Sequence, residues 1–289
     1  MDEKDWMMLN ILSQEKNITK TAERLYISQP SLTYRLNQIE KDFNITLLFR
    51  GRRGVEFTEQ GEVMVRYAQE MLSDLAKIKE SLSNMEGKVE GTLRLAVARS
   101  IALYKLPKFL RKFSDTYPLV DYKVSTGLNM DLIVSVFKQD AQIGVVRGDH
   151  HWAEEKEILD EETISVISVN PIDISMLPGL PRITYNTDPA LIMTIENWWK
   201  MQFSQPSTII INVDNMEIAK RMVKNKLGYA IVPSLIIEDV DKDLCQLPLS
   251  DKHGNLVKWT TWMLYRKEFL EMPTIRAFIH FIREYYKQI

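Results

Sequence analysis

The stretch NITKTAERLYISQPSLTYRLNQIE, residues 17–40, contains two helical patterns with almost nothing between them. Thr19 is predicted to cap the first helix. Ser28 is predicted to cap the second, where Pro30 is tolerated because a first turn needs no backbone donor at that position. Because so short a joint fixes the angle between two helices, the stretch indicates a helix-turn-helix.

The second helix has one apolar side and one hydrogen-bonding side. Leu32, Leu36 and Ile39 recur at i, i+4 and i+7, as a buried side requires. The candidate DNA-binding residues cluster at its N-terminal end and are Gln29, Pro30, Ser31, Thr33, Tyr34 and Arg35. In a helix-turn-helix this end enters the major groove, where Gln pairs with adenine and Arg with guanine. The helix pattern alone leaves open an ordinary helical hairpin with a polar outer face.

Positive charge is concentrated in the same region. The whole chain has a net charge of −2, yet residues 16–53, Lys20 among them, carry eight basic and only three acidic side chains. The following stretch LLFRGRRGVEFTEQG, residues 47–61, places Arg52 and Arg53 between two glycines. This pattern is typical of the wing of a winged helix, which contacts phosphates or the minor groove. A solvated basic loop is the alternative.

A long helix is predicted from Thr58, its cap, to about residue 86, with glycines 87 and 91 marking its end and a linker. Its apolar residues form two heptad series, Met64, Met71, Ile78 and Met85 in one and Ala68, Leu75, Leu82 and Val89 in the other. Such a seam favours self-association, and a dimer would bring two reading helices to a twofold DNA site. The alternative is a helix packed along the core of its own domain.

Residues 92–289 alternate strand and helix signals. Strands are predicted at 92–98, 121–126, 141–147, from 163, 182–186, 208–213, 229–233 and 259–266; helices are predicted at 103–117, 129–138, 188–203, 215–226 and 272–288. This alternation predicts an α/β fold of two lobes, one of about 92–162 and 267–289 and the other of about 163–266. Ligands of such folds bind at the carboxyl ends of the strands, here in a cleft between the lobes.

Polar residues follow several of these strands and are candidates for contact with a small molecule. They are Ser100, Thr126, Gly127, Asn129, Arg147, Tyr185, Asn186 and Asn215. Backbone donors and the helix dipole at residues 126–129 favour an anion, and Arg147 is placed to pair with a carboxylate. For each residue alone, a loop cap or a surface charge is the alternative.

Several functions are not expected. No apolar run approaches the ~20 residues that span a bilayer, and the acidic first residues do not form a secretory signal. A single cysteine excludes an internal disulfide and favours a cytoplasmic location. Neither a phosphate-binding glycine loop, nor a nucleophile–base set, nor metal-ligand spacing occurs, so no catalysis, metal or cofactor is expected.

The sequence resembles the LysR-type transcriptional regulators through ITKTAERLYISQPSLTYRLNQIEKDFNITLLFR and then FTEQG, a signature of about residues 20–61. The resemblance implies a winged helix-turn-helix (1–58), a dimerising linker helix and hinge (59–91), and an effector-binding domain shaped like a periplasmic binding protein (92–289). It also implies a dimer of dimers on an interrupted inverted repeat of double-stranded DNA, with RNA polymerase as a candidate partner.

Carried over by position, the family's base-reading residues fall on Gln29, Pro30, Thr33 and Tyr34, with Ser31 and Arg35 adjacent, and its wing contact falls on Arg52 or Arg53. Positions matching Ser100 and Asn129 commonly line its effector pocket. Tyr34 departs from the family, in which arginine is common there. The second lobe also lacks the usual His-Pro pair after its first strand. The alternative function is a small-molecule binding protein without a DNA role, which would use residues 92–289 alone.

Overall fold

The computed structural model describes residues 1–51, 54–84, 88–237, 241 and 243–287, and the chain divides into two compact units, 1–86 and 87–289. The described elements of the first unit are α1 (Glu3–Glu15), α2 (Ile18–Arg24), α3 (Gln29–Phe43), β1 (Leu48–Gly51), β2 (Gly54–Phe57) and α4 (Glu59–Asn84). Strands β1 and β2 form an antiparallel pair, which makes this unit a winged helix-turn-helix.

Side-chain caps set where the helices of the first unit begin. The Ser28 side chain accepts from the backbone N–H of Ser31 at the start of α3, so this predicted cap is confirmed. The Thr58 hydroxyl likewise accepts from the N–H of Gly61 at the start of α4. The prediction for α2 was wrong, because Asn17 and not Thr19 caps this helix, two residues earlier.

The joint between α2 and α3 is tight because the chain reverses through a left-handed residue. Tyr26 has φ 55°, and the N–H of Ile27 donates to the carbonyl of Ala22 at 3.0 Å. The two helices then bury one core with α1, the wing and the first turns of α4, whose buried members include Leu9, Leu12, Ala22, Leu32, Leu36, Ile39, Leu47, Val55, Met64 and Ala68. The apolar side predicted for α3 is confirmed by this core.

The heptad residues of α4 do not all share one environment. Met64 and Ala68 are buried in the core of the first unit, whereas the Ile78 side chain is 58% exposed. Val89 lies in the second unit and packs on a core there. The Leu82 side chain and Met85 lie outside the described residues. Met64 and Ala68 therefore pack on their own domain, whereas the apolar residues Val63, Tyr67 and Ile78 of the same helix are exposed.

The second unit alternates strands and helices. Its described elements are β3 (Gly91–Ala98), α5 (Arg99–Tyr104), α6 (Leu106–Thr116), β4 (Val120–Gly127), α7 (Asn129–Phe137), β5 (Ile143–Arg147), β6 (Glu155–Ser168), β7 (Pro181–Tyr185), α8 (Pro189–Gln202), β8 (Thr208–Val213), α9 (Met216–Lys224), β9 (Ala230–Pro233), β10 (Cys245–Pro248), β11 (Lys258–Tyr265) and α10 (Pro273–Lys287). The helix predicted over 103–117 is α6, which begins at Leu106, and α5 before it was not predicted. Pro107 in the first turn of α6 cannot donate to the preceding turn, which separates the two helices.

Two long strands connect the two lobes of this unit. In the first lobe β3 pairs in parallel with β4 and β5, while β11 pairs antiparallel with β5 and with the first half of β6. The second half of β6 pairs with β9 and β10 in the second lobe, where β7 and β8 form a parallel pair. Strand β6 thus begins at Glu155, earlier than the strand predicted from 163, and from Ile164 onward it pairs with β9. The lobe boundaries near 163 and 266 remain predictions.

Each lobe has its own apolar core. Phe109 and Phe113 of α6 pack edge-to-face on Phe278 of α10, so the last helix covers the first lobe as predicted. In the second lobe Trp198 and Trp199 are buried, and Trp198 Nε1 donates to the Ser250 carbonyl at 2.8 Å. Within the described ranges, no helix is both long enough and apolar enough to cross a membrane.

Candidate functional site

The N-terminal end of α3 is the exposed part of the helix-turn-helix. Gln29, Pro30 and Ser31 are exposed, and Tyr34 is 69% exposed although it is a large aromatic residue. Leu32 and Leu36, on the other side of the helix, are buried. Exposed hydrogen-bonding side chains in the first turns of a helix, braced by a buried apolar side, are the arrangement that reads base edges in the major groove.

Neighbouring groups orient some of these residues. The Gln29 amide oxygen accepts from the Thr19 hydroxyl at 3.4 Å. Thr33 is half-buried. Lys20 is exposed in α2, where only its backbone N–H is used in capping.

Arg35 is engaged inside its own domain. Its Nε donates to Asp5 Oδ1 at 2.7 Å, and its NH2 donates to Asp2 at 3.0 Å. Hydrogen bonding to Asp5 and Asp2 outweighs partial burial and raises the pKa of Arg35. The guanidinium therefore connects α3 to the start of α1, and the structure does not leave it free for guanine as the sequence predicted.

The wing is held against α1. The N–H of Val55 in β2 donates to the Lys16 carbonyl at 3.0 Å, and a Cβ at Gly54 would collide with that same oxygen. The register pairs Arg50 with Val55 and Gly51 with Gly54. Arg52 and Arg53 themselves lie outside the described residues.

The second unit contains a cavity of about 90 Å³ between its lobes. Six of the eight predicted effector residues line it, namely Ser100, Gly127, Asn129, Arg147, Asn186 and Asn215. The other two do not. Thr126 is exposed on β4, and Tyr185 is buried with its hydroxyl donating to the Ile231 carbonyl at 2.9 Å. Thr126 lies one residue before the end of β4, and successive side chains of a strand point to opposite faces. The Tyr185 hydroxyl is used by the backbone of β9.

Arg147 is the most buried charge at the cavity, with 4% of its surface exposed. Its NH1 donates to the Ser100 hydroxyl at 2.9 Å, and its NH2 forms an ion pair with Glu162. Asn129 holds the same strand end, because its amide donates to the Arg147 carbonyl at 2.6 Å and accepts from the Arg147 N–H at 3.1 Å. Burial lowers the pKa of Arg147 to about 10, so the guanidinium stays charged at neutral pH.

Two of the predicted roles change as a result. Arg147 was expected to pair with a ligand carboxylate, yet Glu162 already balances its charge. Asn129 was expected to contact a ligand, yet its side-chain amide is used by the backbone of Arg147. Asn129 therefore shapes the cavity without offering a free side-chain group, whereas Arg147 keeps only its Nε without a hydrogen-bond partner among the described residues.

Sequence reasoning missed other charged residues of the cavity, and these are Arg99, Asp188 and Glu217, with Glu162 behind Arg147. Asp188 stands just before Pro189, which is a recognisable signal for a helix start, and Asp188 Oδ1 accepts from the N–H of Ala190 at 3.0 Å. No sequence signal singles out Glu162, because its partner becomes a neighbour only through the pairing of β6 with β11 and of β11 with β5.

A winged helix-turn-helix with an exposed reading end, followed by two α/β lobes around a small cavity, defines a DNA-binding regulator with a ligand-binding domain. Two family models match the chain, "Bacterial regulatory helix-turn-helix protein, lysR family" over residues 4–62 and "LysR substrate binding domain" over residues 86–287. The chain belongs to the LysR family of transcriptional regulators. It binds DNA through the first of these domains, and the second is its effector-binding domain.

Known proteins resemble it along its whole length. The uncharacterized HTH-type transcriptional regulator YraN of Bacillus subtilis (strain 168) is 42% identical, with 98% of each chain covered. YkuM of the same organism, also described as an uncharacterized HTH-type transcriptional regulator, is 31% identical over 96% of this chain and 95% of its own. Among solved structures, full-length CbnR complexed with its target DNA superposes with a TM-score of 0.75 at 18% identity, over 98% and 99% of the two chains. This last likeness supports the fold.

Proposed function

We propose that the first turns of α3 read the operator through Gln29, Pro30, Ser31, Thr33 and Tyr34. The observation that supports this most is the exposure of Tyr34 and its neighbours on a helix whose other side is buried. Gln29 is exposed and has amide donors, which suit the acceptor edge of a base, and Tyr34 offers a ring that can pack on a thymine methyl. Arg35 takes a positioning role in this proposal, because it is bound to Asp5 and Asp2.

Lys20 and the wing residues Arg52 and Arg53 are proposed to contact phosphates. Such contacts bind all sequences alike and make binding depend on salt. Removing one of these side chains should reduce the steepness of the plot of log DNA-binding constant against log salt concentration by about 1. Fluorescence anisotropy with the DNA upstream of the chain's own gene, at several salt concentrations, measures this slope. Unchanged slopes for Lys20→Ala, Arg52→Ala and Arg53→Ala would refute the phosphate role.

The cavity between the lobes is proposed to bind a small-molecule effector. Support comes from its position at the carboxyl ends of β3, β4, β5 and β7, where ligands of open α/β sheets bind. An effector that binds one arrangement of the lobes better than another would change DNA binding or bending. A metabolite in the bacterial cytoplasm, where the target DNA lies, is the proposed source.

Filling the cavity with a large side chain tests the proposed effector role even though the effector is not identified. Asn186 is exposed at the rim, so Asn186→Trp should occupy the space without breaking a core contact. His253→Trp, in an exposed turn of the same lobe, is the matched control. We expect only Asn186→Trp to abolish the response of a promoter reporter to growth conditions. Equal, normal responses from both variants would rule out an effector role for this cavity.

We further propose self-association, as a dimer and then a dimer of dimers. Helix α4 exposes the apolar residues Val63, Tyr67 and Ile78. In the second unit β4 and β8 are edge strands, and exposed apolar residues lie on them or on the helices beside them, including Val124, Met130, Val134, Ile192, Met193, Ile209 and Ile210. Unpaired edges and large exposed apolar side chains favour burial against a second copy. RNA polymerase is proposed as a partner on the family resemblance alone.

A further inference from the structure

The two sides of the effector cavity have opposite electrostatic character. On the first lobe, α7 begins at Asn129 after Leu128, and no side chain caps its N-terminus, so its first backbone N–H groups are open to a ligand. Arg147 lines the same side, and its Nε has no hydrogen-bond partner among the described residues although the side chain is buried. This side offers donors and positive potential.

The second lobe closes its helix ends with its own side chains. Asp188 Oδ1 accepts from the N–H of Ala190 at the start of α8, and Asn215 Oδ1 accepts from the N–H of Ile218 at the start of α9, at 2.9 Å. The carboxylates of Asp188 and Glu217 both line the cavity, and neither forms an ion pair with a cation in the described ranges. This side offers acceptors and negative potential.

The charged side chains that line the cavity sum to zero, and the sum becomes −1 when Glu162, the ion-pair partner of Arg147, is counted with them. Arg99 and Arg147 stand against Asp188 and Glu217, and Glu162 adds a further negative charge where it pairs with Arg147. A dianion would bring two negative charges into a site whose own net charge is zero or below. A molecule with one positive and one negative group brings no net charge and finds a partner for each group.

The size of the cavity limits the ligand further. The cavity has about 90 Å³ of free space, less than the ~300–1,000 Å³ of a site for a drug-sized ligand, so it suits a small molecule. Leu191, Met216 and Trp259 supply an apolar part of the wall, which suits a short carbon skeleton.

Resting on the proposed effector role of this cavity, we propose that the effector is a small zwitterion, of the kind formed by an amino acid with a short side chain. Its carboxylate binds the first lobe at the N-terminus of α7 and near Arg147. Its ammonium group binds Asp188 and Glu217 on the second lobe. Because the two charged groups contact different lobes, the ligand connects them, which is how binding can favour one arrangement of the lobes.

Titration calorimetry on the full-length protein tests this with matched probes. The probes are the amino acids of zero net charge from glycine to leucine, β-alanine and 4-aminobutyrate, each beside its deaminated acid and its decarboxylated amine, together with succinate, malonate and inorganic phosphate. We expect at least one amino acid to bind and both of its counterparts to bind at least tenfold more weakly. Tighter binding by a dicarboxylate or phosphate, or no binding by any zwitterion, would overturn the inference.

Charge-removing variants locate the ammonium site. Glu217→Gln and Asp188→Asn should each weaken the binding of the amino acid at least tenfold and leave the binding of its deaminated acid unchanged or tighter. Asparagine at position 188 keeps the oxygen that caps α8. Asp214→Asn, exposed and outside the cavity lining, is the control and should bind as the parent does. An equal loss of affinity for the amino acid and for its deaminated acid would contradict the assignment of the ammonium site to Asp188 and Glu217. The reporter test with Asn186→Trp judges the effector role separately, because it succeeds or fails whatever the ligand's charge.

Discussion

The contact between Arg35 and Asp5 decides whether Arg35 reads DNA or positions the helix that does. We consider Arg35→Met, which keeps the apolar stem and removes the guanidinium. Asp5 is nearly buried, with 10% of its side chain exposed, and the Arg35 side chain is 34% exposed. A hydrogen bond to a charged group contributes about 1.5–3 kcal/mol, whereas an exposed ion pair such as that with Asp2 contributes about 0–1 kcal/mol. Since Arg35 is partly solvated, we expect a coupling energy of about 1–2 kcal/mol with Asp5.

Hydrogen exchange of the full-length protein measures the local stabilisation by the Arg35–Asp5 contact, through the protection of the amides of α1 and α3. A double-mutant cycle of Arg35→Met with Asp5→Asn isolates the coupling. Arg24→Met is the control, because Arg24 pairs with Glu15 at a more exposed site and should change protection by less than about 1 kcal/mol. A binding-site selection with Arg35→Met should return the parent's base preference at lower affinity. A changed preference at one base pair, with exchange unaltered, would refute the positioning role and restore Arg35 as a base reader.

Three further predictions follow from particular contacts. Ser28→Ala removes the cap of α3 and should lower the protection of its first turn by about 1 kcal/mol in hydrogen exchange, while Ser28→Asn should preserve it; equal protection in both would contradict the capping role. Ile78→Asp should shift the oligomer toward monomer in sedimentation velocity, and Lys79→Asp, on the adjacent exposed position, should shift it less; no difference between them would exclude this part of α4 from the interface. The Arg283 guanidinium lowers the pKa of Glu157, so this pair stabilises the second unit above about pH 4.5 and its contribution is lost as the pH falls through the lowered value. Glu157→Gln should therefore lower the thermal unfolding midpoint at pH 7, and the difference from the parent should shrink toward pH 3; a constant difference would contradict the assignment.

The helix-turn-helix could be predicted from the sequence because its determinants are local. Three of these determinants act within α3 alone. They are capping by Ser28, the tolerance of Pro30 in a first turn, and the spacing of Leu32, Leu36 and Ile39. Most of the strand and helix order of the second unit could be predicted for the same reason, although the short elements α5 and β10 were missed. The start of α6 at Leu106 was also set locally, since Pro107 carried its signal in the sequence.

What sequence reasoning missed depends on contacts between distant segments. Arg35 meets Asp5 because α1 packs against the helix-turn-helix, and thirty residues separate the two along the chain. Arg147 meets Glu162 only through the sheet register, and Asn129 is used by a backbone eighteen residues away. Residue type and position in a loop identified these side chains as polar and near a strand end. Whether each group was free for a ligand depended on partners that the sequence does not place.

The central claim is that side chains in the first turns of α3 choose the DNA sequence. A binding-site selection on random duplex DNA, with the parent, Gln29→Ala and Tyr34→Ala, tests it most directly. The account predicts a twofold-symmetric site for the parent and, for each variant, relaxed preference at one base pair of each half-site, worth about 1–3 kcal/mol. Variants that lose affinity equally for every sequence while keeping the parent's preference would contradict it.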